Sequence, residues 1–427
     1  MTIDRRTFLR SAAVATAGLG LAGDGLASRA LAAAGRRTPA SGRVLVVVNL
    51  LGGNDLLNTV VPVQHFDRYR ALRPAIHIPR HRLLDLPGYE GHFALNQGMG
   101  AIRDLFARGM VAVVPGVGMP PNANGLFDHE ASQLNVQSGL LVGSAFSSQP
   151  TGWVGRLLDS LPSDEGAIPP GVNLSGYANL LLTGRQREAL TLFSVESFGV
   201  QTTFDSEARM GAYSEIQKLV RDEAAAERHR AVRDRALDQA ALVREHVARY
   251  VPAVEYPASN VVAAQLKGCA QLIDAGVGVR ALAVAGGDSF DTHAAQNDGT
   301  DDGVYGYHDY ILGQVSDAIG AFWADIEAHG HADDVVVLVV SEFGRRAYEN
   351  NDRGTDHGFA GASFVVGGSV RGGVYGEYPD LSDARLVFDG NLDTTVDFRS
   401  VYATLLAGHF DVDPAEILGA SVPTLGF

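Results

Sequence analysis

The architecture of this 427-residue chain is decided by the stretch Val44-Leu45-Val46-Val47-Val48, which ends in Gly52-Gly53-Asn54-Asp55. A β-branched run that stops at glycines is typical of a buried strand followed by a loop. The pattern recurs in four later runs, at residues 110–115, 280–285, 335–340 and 363–366. Helical stretches are predicted between them at 98–108 and 309–329, and the second has apolar residues at the spacings of three and four that are typical of an amphipathic helix. Buried strands that alternate with helices predict an α/β fold, a three-layer α/β/α sandwich around a mainly parallel sheet.

The composition is that of a large globular protein. Hydrophobic residues make up 46% of the chain and charged residues 19%, enough for a large core. The formal net charge of −15 argues against a nucleic-acid partner, because phosphates would be repelled at long range. Cys269 is the only cysteine, so an intrachain disulfide is excluded and the thiol is interpreted as a small buried apolar group. No segment after the N-terminus predicts a stable membrane span.

The N-terminus is similar to an export signal. Asp4-Arg5-Arg6-Thr7-Phe8-Leu9-Arg10 precedes an Ala/Gly-rich apolar stretch, and Ala30-Leu31-Ala32 is a small-residue cleavage pattern. Twin arginines followed by Phe8 and Leu9 resemble a twin-arginine translocation (Tat) signal, with an amphipathic N-terminal helix as the alternative. We therefore predict a signal peptide over residues 1–34, followed over 35–427 by a short linker and the folded domain. The mature protein is expected to be periplasmic or secreted, with the Tat translocase as its partner during export.

One segment, at about 206–251, breaks the alternation of strands and helices. It is rich in Ala, Arg and Glu and contains no proline, which predicts one long helix or a helical pair. Charge-rich helices are usually solvated, so we interpret the segment as a helical insertion packed on the sheet. A cap over the active site is the alternative.

Acidic and histidine side chains follow the predicted strands. These clusters are Asn54-Asp55, Asp128-His129-Glu130, Asp291-Thr292-His293 and Glu342. Ligands collect at the carboxyl ends of parallel strands, so the clusters are expected to converge. Asp291 and His293 are two positions apart, which in an extended chain lets both side chains share one ion. Of the adjacent Asp356 and His357, His357 is the better expected ligand.

Mixed oxygen and nitrogen donors favour Zn²⁺, Mn²⁺ or Fe²⁺ over Ca²⁺. Each residue also has a simpler interpretation, because a strand-end Asp usually caps a turn or helix and a single His usually lies on the surface or in the core. Several separated clusters in matching topological positions favour a metal site over coincidence.

Four motifs resemble the domain of unknown function 1501 family. They are Leu50-Leu51-Gly52-Gly53-Asn54-Asp55 with Asn58-Thr59-Val60-Val61-Pro62, Phe290-Asp291-Thr292-His293-Ala294-Ala295-Gln296, Ser341-Glu342-Phe343-Gly344-Arg345 and Gly354-Thr355-Asp356-His357-Gly358. The resemblance covers nearly the whole chain after the predicted signal. It implies an alkaline phosphatase-like fold, of the alkaline phosphatase and sulfatase superfamily, and export that often uses twin-arginine signals.

The resemblance also implies two divalent metal ions that bind a phosphate or sulfate ester and stabilise its attacking and leaving oxygens. Asp291, His293 and His357 would bind one ion, with Asp356 as a further ligand position. Asp55 and Glu342 would bind the other, and Asn54 or the glycines before it are the alternatives to Asp55. Arg345 is expected to clamp the anionic substrate through its planar guanidinium, with a surface ion pair as the alternative.

The chain departs from the family pattern where a hydroxyl nucleophile is expected at a helix start. Related proteins have Ser-His-Phe there, whereas this chain has Asp128-His129-Glu130-Ala131-Ser132-Gln133. Asp128 would ligate metal, become phosphorylated, or leave a metal-bound water to attack directly, and Ser132 is a weaker substitute. The expected catalytic residues are therefore Asp128, His129 and Arg345.

Three functions are consistent with these residues. The first is an exported metal-dependent hydrolase whose substrate is a phosphate or sulfate ester, on a small anionic molecule or a surface polymer. The second is a catalytically inactive exported metal-binding or scaffold protein of the same fold, which the missing Ser or Thr favours. A phosphomutase-like isomerase is disfavoured, because export would separate it from cytoplasmic sugar phosphates.

Overall fold

The computed structural model describes residues 42–120, 127–141, 150–162, 168–177, 179–187, 189–195, 227, 239, 241–297, 306–388 and 390–427. The predicted signal peptide and nearly all of the linker lie outside these residues. Most of the predicted helical insertion lies outside them too, and its described end, residues 241–249, is helical. Arg43–Phe427 form one compact unit.

The strands in the described residues are short at the periphery and long at the centre. In chain order they are β1 (Val44–Leu50), β2 (Val60–Val61), β3 (Leu84–Asp85), β4 (Ala94–Leu95), β5 (Val111–Gly118), β6 (Gly171–Asn173), β7 (Ala189–Thr191), β8 (Ala281–Ala285), β9 (Val335–Ser341), β10 (Gly344–Arg345), β11 (His357–Gly358), β12 (Gly361–Gly367), β13 (Gly373–Val374) and β14 (Val396–Asp397). The helices are α1 (Leu56–Thr59), α2 (Phe66–Leu72), α3 (Gly100–Ala107), α4 (His129–Ser138), α5 (Trp153–Ser160), α6 (Val261–Asp274), α7 (Tyr307–Ala328), α8 (Phe398–Gly408) and α9 (Pro414–Leu418).

A mixed sheet runs through the centre of the fold. Its order is β13-β5-β12-β9-β1-β8-β6-β7, and β14 also pairs with β5. β1 is parallel to both neighbours, with Val46 opposite Leu282 of β8 and Val337 of β9. The five strands predicted from apolar runs are the adjacent central strands β5, β12, β9, β1 and β8. The mainly parallel sheet is therefore confirmed.

β12 is the exception to the parallel direction, since it is antiparallel to both β5 and β9. The chain passes from β9 to β12 through the β10–β11 ribbon, without a crossover helix in between. A parallel neighbour would need such a crossover, so the short return produces an antiparallel strand.

Alternating residues of β1 face two separate cores. Val44, Val46 and Val48 pack in a core with side chains of α3, α6 and α7. Leu45 and Val47 pack in a second core with side chains of α5, α8 and α9. Because side chains alternate along a strand, an apolar run is buried on both sides only when helices cover both faces. The three-layer α/β/α sandwich is therefore confirmed.

The direction of the central strands determines where their loops meet. β1, β8 and β9 are parallel neighbours, and β5 shares their direction because both β5 and β9 are antiparallel to β12. The loops that follow these strands therefore gather at one edge of the sheet. In the described part of the chain, no helix is both long and apolar enough to cross a membrane.

Candidate metal centre

Three histidines and one aspartate converge at the carboxyl edge of the sheet and are called here the histidine–aspartate cluster. Asp291 and His293 follow β8, His357 begins β11, and His129 begins α4. Oδ1 of Asp291 lies 3.1 Å from Nε2 of His293 and 3.0 Å from Nε2 of His357. The two Nε2 atoms are 3.0 Å apart. The other carboxylate oxygen, Oδ2, lies 3.5 Å from Nε2 of His129.

Backbone hydrogen bonds between two loops hold His293 and His357 close together. The amide of Thr355 donates to the carbonyl of Thr292 at 3.0 Å, and the amide of Gln296 donates to the carbonyl of Arg353 at 2.8 Å. Gly354 is required at this contact, because a Cβ there would lie 2.2 Å from the carbonyl carbon of His293. The backbone thus brings the ligand-bearing loops against each other before any side chain is considered.

Each histidine is anchored through the ring nitrogen that faces away from the cluster. The Nδ1 atoms contact oxygen acceptors: His129 contacts Glu342 at 3.1 Å, His293 contacts Asp356 at 3.3 Å, and His357 contacts the carbonyl of Phe127 at 2.8 Å. A carbonyl or carboxylate oxygen accepts, so Nδ1 carries the proton and Nε2 presents a lone pair to the cluster. This is the outer-sphere arrangement that orients metal-ligating histidines.

The donor set fits a divalent transition metal. Three Nε2 lone pairs and a carboxylate face one another with no hydrogen-bond donor among those four groups, an arrangement that repels itself unless a cation lies between them. Bonds of about 2.0–2.2 Å to one ion place neighbouring ligand atoms roughly 2.8–3.6 Å apart, depending on the coordination geometry, and the Asp291, His293 and His357 atoms lie 3.0–3.1 Å apart. Nitrogen-rich donors suit zinc, manganese or iron better than calcium.

Asp291 is charged at neutral pH. Burial by itself raises its pKa, but the hydrogen bond and the positive charge of Arg345 outweigh this effect and lower the pKa to about 2. The hydrogen bond with Glu342 raises the pKa of His129 above its ordinary value. The cluster stays open to solvent, with 46% of the His293 side chain and 34% of the Asp291 side chain exposed. A small solute can therefore reach it.

Arg345 is buried beneath the cluster, so the structure corrects its expected role as a substrate clamp. Its side chain is 0% exposed and donates to Asp291 Oδ1 at 2.6 Å. The remaining hydrogen bonds are to backbone carbonyls, of Gly52, Gly53, Phe290 and Thr355. Because these partners occupy the guanidinium, it orients Asp291 and the surrounding loops rather than a substrate.

Asp55 lies outside the cluster, which corrects its expected role as a metal ligand. Its buried carboxylate binds Arg73 through both oxygens, at 2.5 and 2.8 Å, and accepts from Gln296 at 2.5 Å. Burial by itself would raise the pKa of Asp55, but the charge and hydrogen bonds of Arg73 hold it below its usual value. Asn54 is not in the cluster either, because its Oδ1 contacts Thr59 and His308.

Glu342 and Asp356 contact histidines of the cluster from the side that faces away from its centre. Glu342 is buried and accepts from the amide of Gly52 at 2.7 Å as well as contacting His129. Asp356 accepts from Asn350 at 3.2 Å and contacts His293. Both residues were expected as direct ligands, and the geometry instead has them orienting the histidine rings.

At the start of α4 the structure brings His129 into the cluster but not Asp128. The exposed carboxylate of Asp128 caps the helix by accepting from the amide of Ala131 at 2.8 Å. Ser132 is buried one turn further along. The simpler helix-cap interpretation therefore describes Asp128 in this structure.

Several residues that support the site were not predicted from the sequence. Gln296 joins the two ligand loops, since its Oε1 accepts from the hydroxyls of Thr292 at 2.9 Å and Thr355 at 2.6 Å. It closes a motif quoted above, which was the available signal. Arg73 and the Phe127 carbonyl had no such signal, because their contacts form only between segments that are distant in sequence.

The chain is similar to solved structures of low sequence identity. A protein in the alkaline phosphatase superfamily from Vibrio parahaemolyticus is 9% identical, with 89% of this chain and 70% of that chain covered and a TM-score of 0.40. The PsFucS1 sulfatase from Pseudoalteromonas sp. is 13% identical, with coverage of 84% and 68% and a TM-score of 0.35. The C-terminal periplasmic domain of EcEptC from Escherichia coli, in complex with Zn, is 10% identical, with coverage of 90% and 82% and a TM-score of 0.33.

No curated protein sequence matches the chain. A family model described as "Protein of unknown function (DUF1501)" matches residues 131–420. The match begins after the first quoted motif and after His129, so it is narrower than the resemblance along nearly the whole chain. It includes the segments that carry Asp291, His293, Glu342 and His357. Because it spans more than half of the 427 residues, the chain belongs to the DUF1501 family, as its motifs predicted.

Proposed function

We propose that this protein is an exported, divalent-metal-dependent hydrolase of phosphate or sulfate esters. The observation that carries the proposal is the histidine–aspartate cluster, in which three anchored imidazoles direct Nε2 lone pairs at one charged carboxylate. Such an arrangement is stable when it binds a cation, and a solvent-accessible cation is suited to an anionic ester.

The chain's own residues fall into two groups in this proposal. His293, His357 and Oδ1 of Asp291 would hold one ion, and His129 with Oδ2 of Asp291 would contribute to a second. A bound divalent ion would polarise the ester and generate the nucleophile from water. The outer groups, Glu342 and Asp356 among them, keep Nδ1 protonated and the ring fixed, so that the lone pair stays aimed at the site.

Direct hydrolysis by water is favoured over a covalent intermediate. The cluster side chains contact one another, Arg345, Glu342, Asp356 and the carbonyl of Phe127. Asp128 is occupied as a helix cap, and Ser132 is buried. The side chain that meets the cluster at this helix start is an imidazole rather than a nucleophilic hydroxyl.

The second candidate function is an exported metal-binding protein without turnover. The specific observation in its favour is that Arg345 and Asp128, two of the three expected catalytic groups, are committed to structural hydrogen bonds. Both functions share the metal site, so activity measurements separate them.

The test begins with metal analysis of the purified mature protein. We expect one to two equivalents of a transition metal, lost in Asp291→Asn and His357→Ala. The matched control is His81→Ala, because His81 is exposed on a 3₁₀ turn, Arg80–Arg82, and is not one of the cluster residues. Absence of stoichiometric metal in the wild type would refute both functions.

Turnover then distinguishes the hydrolase from the binding protein. The metal-loaded wild type is assayed with 4-nitrophenyl phosphate and 4-nitrophenyl sulfate. Hydrolysis that follows the metal content across the same variants would support the hydrolase. Full metal content without hydrolysis of either ester would support the binding function.

Export is proposed from the sequence alone and has its own test. Conversion of Arg5 and Arg6 together to lysine should abolish appearance of the mature protein outside the cytoplasm, because the translocase recognises the arginine pair. Unchanged export of the double variant would refute the Tat route without affecting the metal site.

A further inference from the structure

Phe343 is a buried aromatic residue that contacts two histidines of the cluster. It lies between β9 and β10 and is 4% exposed. Its ring centroid is 5.1 Å from that of His129 and 4.5 Å from that of His357, with interplanar angles of 43° and 36°. The two imidazole centroids are themselves 4.5 Å apart. One phenyl ring therefore packs against both imidazoles where they approach each other.

We propose that Phe343 is a positioning residue that fixes the angle between the imidazoles of His129 and His357, and through it the geometry of the bound metal. The inference rests on the metal site of the proposed function. It goes beyond that function, because the hydrolase and the binding protein share this site and the role of Phe343 does not depend on turnover.

Hydrogen bonding alone does not fix the orientation of these two rings. Nδ1 of His129 contacts Glu342 at 3.1 Å, and Nδ1 of His357 contacts the carbonyl of Phe127 at 2.8 Å. Each contact holds one ring atom and leaves the imidazole plane free to turn about that atom. A side chain packed against the ring removes this freedom, as supporting residues do in a preorganised site. Phe343 provides such packing for both rings at once.

The Phe343 ring is itself held in place. Gly53 lies against its edge, and a Cβ at position 53 would be 2.3 Å from Cε2 and 2.5 Å from Cδ2 of the ring. Gly53 also has a φ of +90°, a conformation that glycine adopts without strain. Arg345, in the same segment as Phe343, donates to the carbonyl of Gly53 at 2.9 Å. Close packing of this kind holds a buried ring in one rotamer.

The orientation of the two imidazoles determines where they can bind a cation. Nε2 of His357 lies 3.0 Å from Oδ1 of Asp291, and Nε2 of His129 lies 3.5 Å from Oδ2. Rotation of either ring would move its lone pair away from the carboxylate oxygen that it faces. Metal–nitrogen bonds of about 2.0–2.1 Å tolerate displacements of only about 0.2 Å. Loss of the Phe343 ring should therefore weaken metal binding and change the coordination geometry.

The test uses the mature protein loaded with Co²⁺, because the visible absorption bands of this ion depend on the number and arrangement of its ligands. Phe343→Leu keeps the position apolar but replaces the flat ring with a branched chain. We expect its Kd for Co²⁺ to rise about tenfold, the lower end of the effect of supporting residues on metal affinity, and its visible spectrum to differ from that of the wild type. Phe343→Met should show the same two changes, and its adaptable side chain provides a second variant if Phe343→Leu does not fold.

The matched control is Phe364→Leu. Phe364 is 2% exposed in the middle of β12, opposite Val339, and packs in the core that includes α3, α6 and α7. This variant should lower the urea midpoint about as much as Phe343→Leu does, and it should leave the Co²⁺ affinity and spectrum unchanged.

A Kd or a spectrum that is unchanged in both Phe343 variants would overturn the proposal. Equal changes in Phe364→Leu would overturn it too, because they would show that any loosening of the core disturbs the site. Failure of the wild type to bind Co²⁺ is a different result, which refutes the metal site itself and both candidate functions along with this role of Phe343.

Discussion

Asp55→Asn tests whether Asp55 is a metal ligand, as the motif implied, or part of a buried ion pair, as the structure shows. The substitution keeps the shape of the side chain and removes its charge. Arg73 would then lie fully buried without a counter-charge, since its side chain is 0% exposed and is also held by the carbonyls of Ala347 and Arg346. We expect a large loss of stability and no loss of metal.

The magnitude follows from the geometry of the pair. Breaking a buried ion pair by removing one partner costs about 3–5 kcal/mol, because an uncompensated charge remains inside the protein. Asn keeps one acceptor oxygen for Arg73 and for the Leu57 amide that Asp55 caps at 3.2 Å. The cost should therefore fall near the lower end, about 3 kcal/mol, a large fraction of the 5–15 kcal/mol typical of a domain.

The assay is urea unfolding of the mature protein, with metal analysis of the folded variant. The matched control is Asp104→Asn, which removes a 72% exposed carboxylate that contacts Arg103 at 3.0 Å. Exposed pairs contribute at most about 1 kcal/mol, so the control should be nearly neutral. The double variant Asp55→Asn/Arg73→Met should lose less than the sum of its single variants, because it leaves no unpaired charge.

The pH dependence of stability provides a second test of the Asp55–Arg73 pair. The folded pKa of Asp55 is lowered, so its contribution to stability is complete above the unfolded pKa of about 3.9 and is lost as pH falls through the folded pKa. Because Asn does not ionise, the stability of Asp55→Asn should fall less than that of the wild type as the pH is lowered through this range. A stable Asp55→Asn protein that no longer binds metal would refute the reasoning and restore Asp55 as a ligand.

Three further predictions follow from the contacts around the cluster. Asp356→Asn should weaken metal binding about 10- to 100-fold in equilibrium dialysis, because Asp356 orients His293. An unchanged metal affinity would show that the contact between Asp356 and His293 does not support metal binding. Arg345→Gln should lower the free energy of unfolding by about 3 kcal/mol or more, since buried carbonyls lose their donors; normal stability with a raised KM would instead indicate a substrate clamp. Chelation should lower stability by about 2.7 kcal/mol relative to protein with free metal at 100 times Kd, and a chelator effect of equal size in Asp291→Asn would argue against this site.

The fold class could be predicted because a strand that is buried on both faces of its sheet has a recognisable sequence, a continuous run of apolar residues. A strand such as β1 must be apolar at every position when helices cover both sides of its sheet, and the runs in β8 and β9 show the same pattern. The direction of β12 could not be predicted in this way. The same apolar run is found in parallel and in antiparallel strands. The direction of β12 was set by its short connection from β9.

The site was predicted in part, for the same physical reason. Asp291 and His293 share a motif, and their separation of two positions in the chain brought both side chains to one place. Arg345 and Asp55 illustrate the opposite case. Whether a charged side chain meets solvent, an ion or another charge depends on neighbours that are distant in sequence, such as Arg73 for Asp55 and the Gly52 and Phe290 carbonyls for Arg345.

The amino-acid order by itself determined that this chain forms an α/β sandwich of the DUF1501 family, with histidines and carboxylates after its central strands. Those features are local, since they depend on the period of apolar residues and on short motifs. Only the tertiary structure decided which of these groups face one another. It aimed Nε2 of His129, His293 and His357 at Asp291 and left Asp128 as a helix cap. The physical reason is that hydrogen bonding and desolvation act between atoms in space, and the folded backbone alone sets those distances.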